Sequence, residues 1–334
     1  MKTSQRSGLK SLCEQYSKFF YIGAAVDCDR MAHYKAIIDR HFNSITPENS
    51  MKFDIIHPRA DEFDWHGADA IISYALNSGK IVRGHTLLWH QQLPDWVFSS
   101  ENHPICRESL LRIMEKHICE IVSRYKGKVN IWDVVNEAIS EDIGFFRSTG
   151  WLDVIGEDYI KKAFCFAREA NPDAKLFYND FNGNKKDKQD RIFELIRGMK
   201  KENVPVDGVG IQAHYNIFYP ELDDIKREIE RYSKLGVRIH ITELDISVFD
   251  FSDGRKDMII PSYEQLQRQE EMYYRIFEIY RQYSDVIDNV TLWGVADDYT
   301  WLDNYPVSGR KDWPLLFDEQ LKAKNVLNRV MDIR

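Results

Sequence analysis

DGVGIQAHYNIFYPELDDIKREIERYSKLGVRIHIT, residues 207–242, contains one complete unit of the predicted fold. Its two ends, 207–212 and 237–242, are short runs rich in branched apolar residues, which are typical of buried strands. Between them, four apolar residues recur at helical spacing on one face: Leu222, Ile225, Ile229 and Tyr232. Gly236 follows this stripe, where a helix C-cap belongs. This order of strand, helix and strand predicts two parallel strands joined by a helix.

The same alternation runs through the rest of the chain. Two further helical stripes are formed by Leu110, Met114, Ile118, Ile121 and Tyr125 and by Leu266, Tyr273, Phe277 and Tyr280. Including the unit above, strands are predicted at 19–25, 42–46, 81–86, 130–135, 175–179, 207–212, 237–242 and 289–294. Eight strand–helix units predict an α/β fold, a closed (β/α)8 TIM barrel, as a single domain over residues 1–334. An open doubly wound sheet is the alternative, but its glycine-rich phosphate turn GxGxxG is absent.

Composition and charge exclude several classes of protein. The apolar fraction of 43% and the charged fraction of 29% are those of a globular protein, not of a disordered chain. The net charge of −8 disfavours a nucleic-acid partner and a polyanionic substrate. The apolar run at 19–26 is too short to cross a membrane, and no clear cleavage site follows it. We therefore interpret it as a buried first strand and expect neither a membrane partner nor an export signal.

The cysteines indicate a reducing compartment. There are five of them and no CxxC spacing, which argues against both a disulfide framework and structural zinc. We expect free thiols, no metal and no cofactor.

Polar and aromatic side chains are concentrated at the ends of the predicted strands. In a (β/α)8 barrel the carboxyl ends of the strands meet on one rim, where catalytic residues lie. The residues of this kind at seven of the strand ends are acids, amides, histidines, a lysine and aromatic residues: Glu48, Asn49, Lys52, His85, Trp89, Gln92, Asn136, Glu137, Asn179, Phe181, Asn182, Gln212, His214, Glu243, Asp245, Trp293 and Trp301. Any one of them alone is more often structural than functional. The agreement of seven strand ends predicts a binding and catalytic site.

This set of residues suits carbohydrate chemistry. Acids and amides hydrogen-bond hydroxyl groups, and flat tryptophan rings pack on the apolar faces of sugars. Glu137 and Glu243, which follow strands four and seven, supply the two carboxyl groups that glycoside hydrolysis needs. A metal site is the alternative, built from His85, His90, His214 and His240. These histidines lack the HxH and HExxH spacings, so we disfavour it.

Eight segments resemble the family 10 endo-β-1,4-xylanases among the glycoside hydrolases. In chain order they are ITPENSMKF (45–53), VRGHTLLWHQQLPDW (82–96), WDVVNEAI (132–139), FYNDFN (177–182), GVGIQAHYN (208–216), HITELDIS (240–247), LWGVADDYTWL (292–302) and PLLFD (314–318). The resemblance covers nearly the whole chain. It implies a (β/α)8 fold and hydrolysis of internal β-1,4-xylosidic bonds, in xylan or xylo-oligosaccharides, with retention of configuration through a covalent glycosyl-enzyme.

The resemblance also assigns roles. Glu137 matches the acid/base and Glu243 the nucleophile, while Asn136 matches the residue that bonds the 2-hydroxyl of the sugar at the cleavage point. The remaining roles are positioning of the nucleophile (His214 and Asp245), contacts around the same sugar (His85, Lys52, Trp89 and Gln212), contacts to the next sugar toward the non-reducing end (Glu48, Asn49 and Gln92), aromatic walls (Trp293 and Trp301) and leaving-side contacts (Asn179, Phe181 and Asn182). Because a nucleophile must be ionised, we expect Gln212 and His214 to donate hydrogen bonds to Glu243.

The chain departs from the family pattern at two positions. Phe181 stands where tyrosine is common, so a hydroxyl contact on the leaving side is lost. Lys322-Ala323 stands where Lys-Pro is usual, and we have no functional account of that change. Residues 303–313 resemble a loop of the intracellular bacterial members, which implies a cytoplasmic enzyme, without a carbohydrate-binding module, that acts on imported xylo-oligosaccharides. We expect a monomer or a homodimer.

Three other functions are weighed against this one. A β-1,4-glucanase or aryl-β-glycosidase would use the same carboxyl pair and differ in the room for the C6 hydroxymethyl group near Trp301, Trp89 and Gln92. A non-catalytic sugar-binding barrel would lack one of the glutamates. A sugar-phosphate aldolase or isomerase would need a Schiff-base lysine or a phosphate-binding glycine loop, and residues 245–247 and 294–296 supply neither.

Overall fold

Eight parallel strands close into a barrel in the computed structural model, which describes residues 10–99 and 105–333. The strands pair in chain order from β1 to β6, then β6 with β8, β8 with β9, and β9 with β1. The short strand β7 lies just beyond β6 and pairs with the far end of β8. The predicted (β/α)8 barrel is therefore confirmed. Parts of the unit expected over 1–334, namely 1–9, 100–104 and 334, lie outside the described residues.

All eight predicted strands are present, with shifted ends. The strands are β1 (Tyr21–Val26), β2 (Ser44–Pro47), β3 (Ile81–Leu88), β4 (Ile131–Asn136), β5 (Lys175–Asp180), β6 (Gly208–Ile211), β7 (His214–Asn216), β8 (Arg238–Ser247) and β9 (Ile287–Leu292). The first strand begins later than predicted because the N–H groups of Phe19 and Phe20 bond back to Tyr16 and complete a helical turn. The seventh barrel strand, β8, runs to Ser247, so Glu243 and Asp245 lie within a strand.

Helices surround the barrel. They are α1 (Leu12–Tyr16), α2 (Met31–His41), α3 (Phe53–Ile56), α4 (His66–Asn77), α5 (Arg107–Arg124), α6 (Gly150–Ile155), α7 (Tyr159–Ala170), α8 (Lys186–Lys201), α9 (Leu222–Ser233), α10 (Tyr263–Gln282) and α11 (Asn325–Met331). The predicted stripes form their inner faces, since Ile118 of α5, Ile229 of α9 and Phe277 of α10 are fully buried. Among the described residues, no helix is both long and apolar enough to cross a membrane.

The barrel interior combines close packing with buried charge. Gly84 of β3 lies against Trp132 of β4, where an added Cβ would stand 2.1 Å from a ring carbon, so the close approach requires glycine. Arg83 and Asp133, on the same two strands, are fully buried and paired at 2.7 Å. Because all eight strands are parallel, their carboxyl ends share one rim, and the site is built there.

Candidate active site

Glu137 and Glu243 lie on this rim. Glu137 directly follows β4, and its backbone has a φ of 59°, which few residues other than glycine adopt. Its N–H donates to the carbonyl of Asn179 at 2.9 Å, and the side chain of Arg147 donates to its carbonyl at the same distance. Glu243 lies within β8 and is 4% exposed. Neighbouring strands therefore fix the position of both carboxyl groups.

Glu243 is surrounded by hydrogen-bond donors. Asn179 Nδ2 donates to one carboxyl oxygen at 2.7 Å, and His214 Nε2 lies 3.2 Å from the other. Burial raises the pKa of Glu243, but the bond from His214, the nearby charges and Asn179 outweigh it, and the pKa lies below its usual value. Glu243 is thus held as a carboxylate, the form a nucleophile needs.

His214 acts as a charged support for Glu243. Its Nδ1 lies 2.9 Å from Asp245 Oδ2, because His214 of β7 is opposite Asp245 of β8. Burial opposes a charge on the imidazole, yet Asp245 and then Glu243 outweigh it and raise the pKa of His214 to about 10. An imidazolium between two carboxylates can donate from both ring nitrogens.

Glu137 has the opposite environment. Burial is the main reason why its pKa is raised, and the negative charges of Asp180 and Glu243 add to it. Gln212 Nε2 donates to Glu137 Oε1 at 3.0 Å and opposes the shift. The expectation that Gln212 donates to Glu243 is therefore wrong, whereas the one for His214 agrees with the structure. Asn179, which we expected on the leaving side, occupies the donor position that we gave to Gln212.

Three amide side chains connect the two carboxyl groups. Asn179 donates to Glu243 and also to Asn136 Oδ1 at 2.9 Å, and Gln212 donates to the same Oδ1 at 3.2 Å and to Glu137. Asn136 Nδ2 lies 3.2 Å from Glu137 Oε1. This bridge arises because Asn136 and Asn179 are opposite each other on β4 and β5.

Glu48, Asn49 and Lys52 lie together after β2. Asn49 donates to Asp27 at 2.9 Å, and Lys52 Nζ donates to Asn49 Oδ1 at 2.9 Å. Burial and the neighbouring charge of Asp27 raise the pKa of Glu48 to about 8. The carboxyl group of Glu48 therefore holds its proton to higher pH than an ordinary glutamate, and in that form it can donate a hydrogen bond to a hydroxyl group.

Three tryptophans border the same space. Trp301 donates from Nε1 to Asp245 at 2.8 Å, and its ring centre is 4.8 Å from that of His214. Trp293 packs edge-on against His85 at 5.1 Å. Lys52 Nζ lies 5.2 Å from the ring centre of Trp89, whose buried indole N–H faces the carboxyl group of Glu137 and, like Gln212, opposes the rise of its pKa.

Of the three residues predicted for the leaving side, Phe181 and Asn182 lie after β5, whereas Asn179 lies within that strand. Phe181 is half-buried, with Lys188 Nζ 3.9 Å from its ring centre, and Asn182 donates to Glu141 at 2.8 Å. Gln92 lies four residues beyond the end of β3, half-buried, with a φ of 48°. Within residues 10–99 and 105–333, no hydrogen bond joins Gln92 to the other predicted site residues.

His85 is linked to a buried chain of charges that the sequence analysis missed. Its Nδ1 lies 3.0 Å from Asp133 Oδ2, Asp133 pairs with Arg83, and Arg83 Nε donates to His240 Nδ1 at 3.1 Å. Burial keeps the pKa of His240 well below its usual value, so it is neutral and can accept this bond. The sequence did contain a signal for this chain, because Arg83 and Asp133 each stand within an otherwise largely apolar predicted strand.

The histidines do not assemble a metal site. Within residues 10–99 and 105–333, no group of three or more His, Cys, Asp or Glu side chains is arranged to hold a metal ion. The absence of a metal requirement remains a prediction.

A parallel (β/α)8 barrel whose rim holds two carboxyl groups with opposite pKa shifts, among amides and tryptophans, has the features of a glycoside hydrolase. The comparisons agree with this class. The sequence model of Glycosyl hydrolase family 10 matches residues 9–333, and the chain belongs to that family.

Several relatives match over nearly their full length. The chain is 46% identical over 331 residues to an endo-1,4-beta-xylanase from Geobacillus stearothermophilus, covering 98% of this chain and 99% of that protein. A crystal structure of a xylanase from Paenibacillus barcinonensis, complexed with a conduramine derivative, superposes with a TM-score of 0.95 at 44% identity, covering 97% of this chain and 99% of that one. A mutant in complex with xylotriose superposes with a TM-score of 0.94 at 45% identity, with the same coverage.

Proposed function

We propose that this protein is an endo-1,4-β-xylanase that hydrolyses internal xylosidic bonds with retention of configuration. The observation that carries the proposal is the pair of carboxyl groups, one ionised and one with a raised pKa, joined by the three amides on one rim. Xylan-derived oligosaccharide is the proposed substrate, because relatives of full-length similarity are endo-1,4-beta-xylanases and one similar structure holds xylotriose.

In the first step, Glu243 attacks the anomeric carbon while Glu137 gives its proton to the departing glycosidic oxygen. The bond from carbon to that oxygen breaks, and an ester forms between the sugar and Glu243. Asn136 is the proposed partner of the 2-hydroxyl. Its Oδ1 already accepts from Asn179 and Gln212, which fixes the amide before substrate arrives.

In the second step, Glu137 acts as a base. Once Glu243 is esterified its negative charge is gone, and that charge is one of the groups that raise the pKa of Glu137. The pKa of Glu137 therefore falls, its carboxylate accepts a proton from water, and the water attacks the anomeric carbon and releases Glu243. Two inversions give net retention.

Lys52 is proposed to contact the sugar at the cleavage point, and Glu48, Asn49 and Gln92 the next sugar toward the non-reducing end. Glu48 presents a carboxyl group with a raised pKa, Asn49 an amide and Lys52 an ammonium group, and all three can hydrogen-bond the hydroxyl groups of a pyranose. Trp301 and Trp293 are the proposed walls over these two sugars. The hydrogen bond from Trp301 to Asp245 holds the indole ring in place. We propose that this ring borders the space that a C6 hydroxymethyl group would need.

Proton NMR of xylohexaose digestion tests the proposal. The expected result is new β-anomer from internal cuts, which mutarotates later. The variant Glu243→Ala, as the matched control, should give no product. New α-anomer would contradict retention, and cleavage of cello-oligosaccharides in preference to xylohexaose would move the substrate to a β-1,4-glucan. Comparing aryl xylobioside with aryl cellobioside measures that preference directly.

We also propose that the enzyme works in the cytoplasm on short xylo-oligosaccharides. All five cysteines are unpaired thiols, and Cys106 is exposed, which suits a reducing compartment. Recovery of the native protein from the culture medium without cell lysis would contradict this. A monomer or homodimer remains the prediction for the oligomeric state, which analytical ultracentrifugation measures.

A further inference from the structure

Lys188 carries a charge in a buried position behind the leaving side of the site. It lies in the first turn of α8 and is 2% exposed, whereas lysine is rarely buried unless it is paired. Its Nζ lies 2.8 Å from Asp180 Oδ1 and forms a second ion pair with Glu141. Asp180 ends β5, and Glu141 follows β4, so one ammonium group joins the segments after two neighbouring strands.

The first of these contacts leads to the acid/base. Asp180 also accepts a hydrogen bond from the hydroxyl of Tyr178. That hydroxyl in turn accepts from the backbone N–H groups of residues 138 and 139, at 3.0 and 3.1 Å. These two residues directly follow Glu137, whose φ of 59° persists only if its surroundings hold it. The contacts of Lys188 therefore extend, through Asp180 and Tyr178, to the backbone that aims Glu137.

The other contacts lead to the leaving-side residues. Lys188 Nζ lies 3.9 Å from the ring centre of Phe181, within the range of a cation–π interaction. Glu141, the second carboxylate of Lys188, accepts from Asn182 at 2.8 Å. Phe181 thus contacts the ammonium group directly, whereas Asn182 is linked to it through Glu141.

We propose that Lys188 is a positioning residue for the departure of the leaving group. It holds Glu137, Phe181 and Asn182 in one arrangement, so that proton donation and binding of the departing sugar depend on each other. Lys188 is too buried to contact the substrate itself. The proposal rests on the proposed function, because it requires a glycosidic oxygen that Glu137 protonates.

The variant Lys188→Met tests it, since methionine fills much of the same space without the charge. Two substrates separate the roles: 2,4-dinitrophenyl xylobioside needs no proton and has no leaving-side sugar, whereas xylohexaose needs the proton and fills the leaving side. We expect kcat/KM on xylohexaose to fall on the order of 10- to 100-fold. This loss is smaller than the full contribution of a general acid, because Glu137 is still present but less well positioned. On the dinitrophenyl substrate we expect kcat/KM to change by about 3-fold at most, because its leaving group departs without a proton from Glu137.

The matched control is Lys186→Met. Lys186 lies on the same helix, is exposed, and pairs with Asp190 at 2.8 Å, so its removal should leave both rates unchanged. Lys188→Arg keeps the charge and should recover part of the rate on xylohexaose. Glu141→Ala releases Asn182 without leaving a buried carboxylate, and it should cause a loss in the same direction. If Lys188→Met does not fold, the rates of Glu141→Ala on the two substrates test the proposal instead.

Equal losses on the two substrates, or no loss on xylohexaose, would overturn the proposal. A wild-type enzyme that does not cleave xylohexaose would instead refute the proposed function. The two failures are therefore distinguishable.

Discussion

Glu137 and Glu243 are the same residue type, and their surroundings move their pKa values in opposite directions. The pKa of Glu243 is lowered, so its carboxyl group loses its proton below the ordinary value near 4.5, as the proposed nucleophile must. The pKa of Glu137 is raised by burial and neighbouring carboxylates, so its carboxyl group keeps its proton above that value, as the proposed acid must. Two glutamates are thereby suited to the two different roles that we propose for them, and the difference comes from their environment.

The first prediction concerns pH. We expect kcat/KM on xylo-oligosaccharides to follow a bell, rising as Glu243 deprotonates and falling as Glu137 deprotonates at higher pH. On a dinitrophenyl substrate, which needs no acid for the first step, the alkaline limb should disappear. Initial rates of both substrates across pH measure this. An alkaline limb shared by both substrates would contradict the role of Glu137.

The second prediction concerns loss of the acid/base. Glu137→Ala should lower kcat on xylohexaose by about 10²–10⁴, the usual contribution of general acid–base catalysis. The first step with dinitrophenyl xylobioside should survive, and added azide should release the glycosyl-enzyme as the β-glycosyl azide. NMR of that product is the measurement. An α-azide would contradict retention.

Sequence patterns identified the residues of the site more reliably than their contacts. Glu137 and Glu243 could be found because strand ends converge on one rim. The partner of Gln212 could not, because Glu137 and Glu243 both border the space it enters and side-chain torsions decide which one it reaches. Lys188, which lies away from every strand end, gave no signal of its own.

At the scale of helices and strands, the barrel could be predicted because each strand and helix has its own periodicity. The ends of the elements could not. The strand β8 continues to Ser247 because β7, a three-residue strand, pairs with its far end. That pairing is a long-range contact, and the apolar pattern of β8 alone does not reveal it.

The third prediction concerns the end of α2. Lys80 is 6% exposed, and its Nζ donates to the carbonyl oxygens of Phe42 at 2.6 Å and Ile38 at 3.1 Å. The carbonyl of Phe42 lies at the C-cap of α2, and that of Ile38 also accepts from the N–H of Phe42 at 3.3 Å. A cation there supplements the end of the helix ladder and opposes the negative end of the helix dipole. Lys80→Met should therefore lower the free energy of unfolding by about 1–3 kcal/mol.

Chemical denaturation measures this change, with kcat/KM on xylohexaose expected to stay the same. Lys35→Met is the control, because it removes an exposed ion pair with Asp39 from the same helix and should change stability little. Equal effects of the two substitutions would show that burial of the Lys80 ammonium is not what stabilises this end.

At the scale of the whole molecule, the centre of the barrel is held by charge as well as by apolar packing. Arg83, Asp133 and His85 form a continuous chain from the middle of the barrel to the rim. Removing one member of a buried ion pair leaves the other without compensation, which costs about 3–5 kcal/mol.

The fourth prediction follows from that chain. Arg83→Met should lower the free energy of unfolding by about 3–5 kcal/mol, because the carboxylate of Asp133 stays buried. Adding Asp133→Asn removes the second charge and should restore part of the loss. Thermal unfolding midpoints of the two variants give the comparison. A double variant less stable than Arg83→Met would contradict this account.

The contact between the first and last helices has a practical consequence. Tyr16 donates to the carbonyl of Val330 at 2.7 Å, and Gln15 donates to that of Ile333 at 3.2 Å, so α1 and the segment after α11 meet at one corner. Residues 17–21, which follow α1, lead into the amino end of β1, opposite the rim. A tether attached at this corner would hold the barrel by the end opposite the rim, so that the candidate active site would face outward. If the protein were immobilised on a support in that orientation, the rim with Glu137 and Glu243 should stay accessible even to long polysaccharide chains.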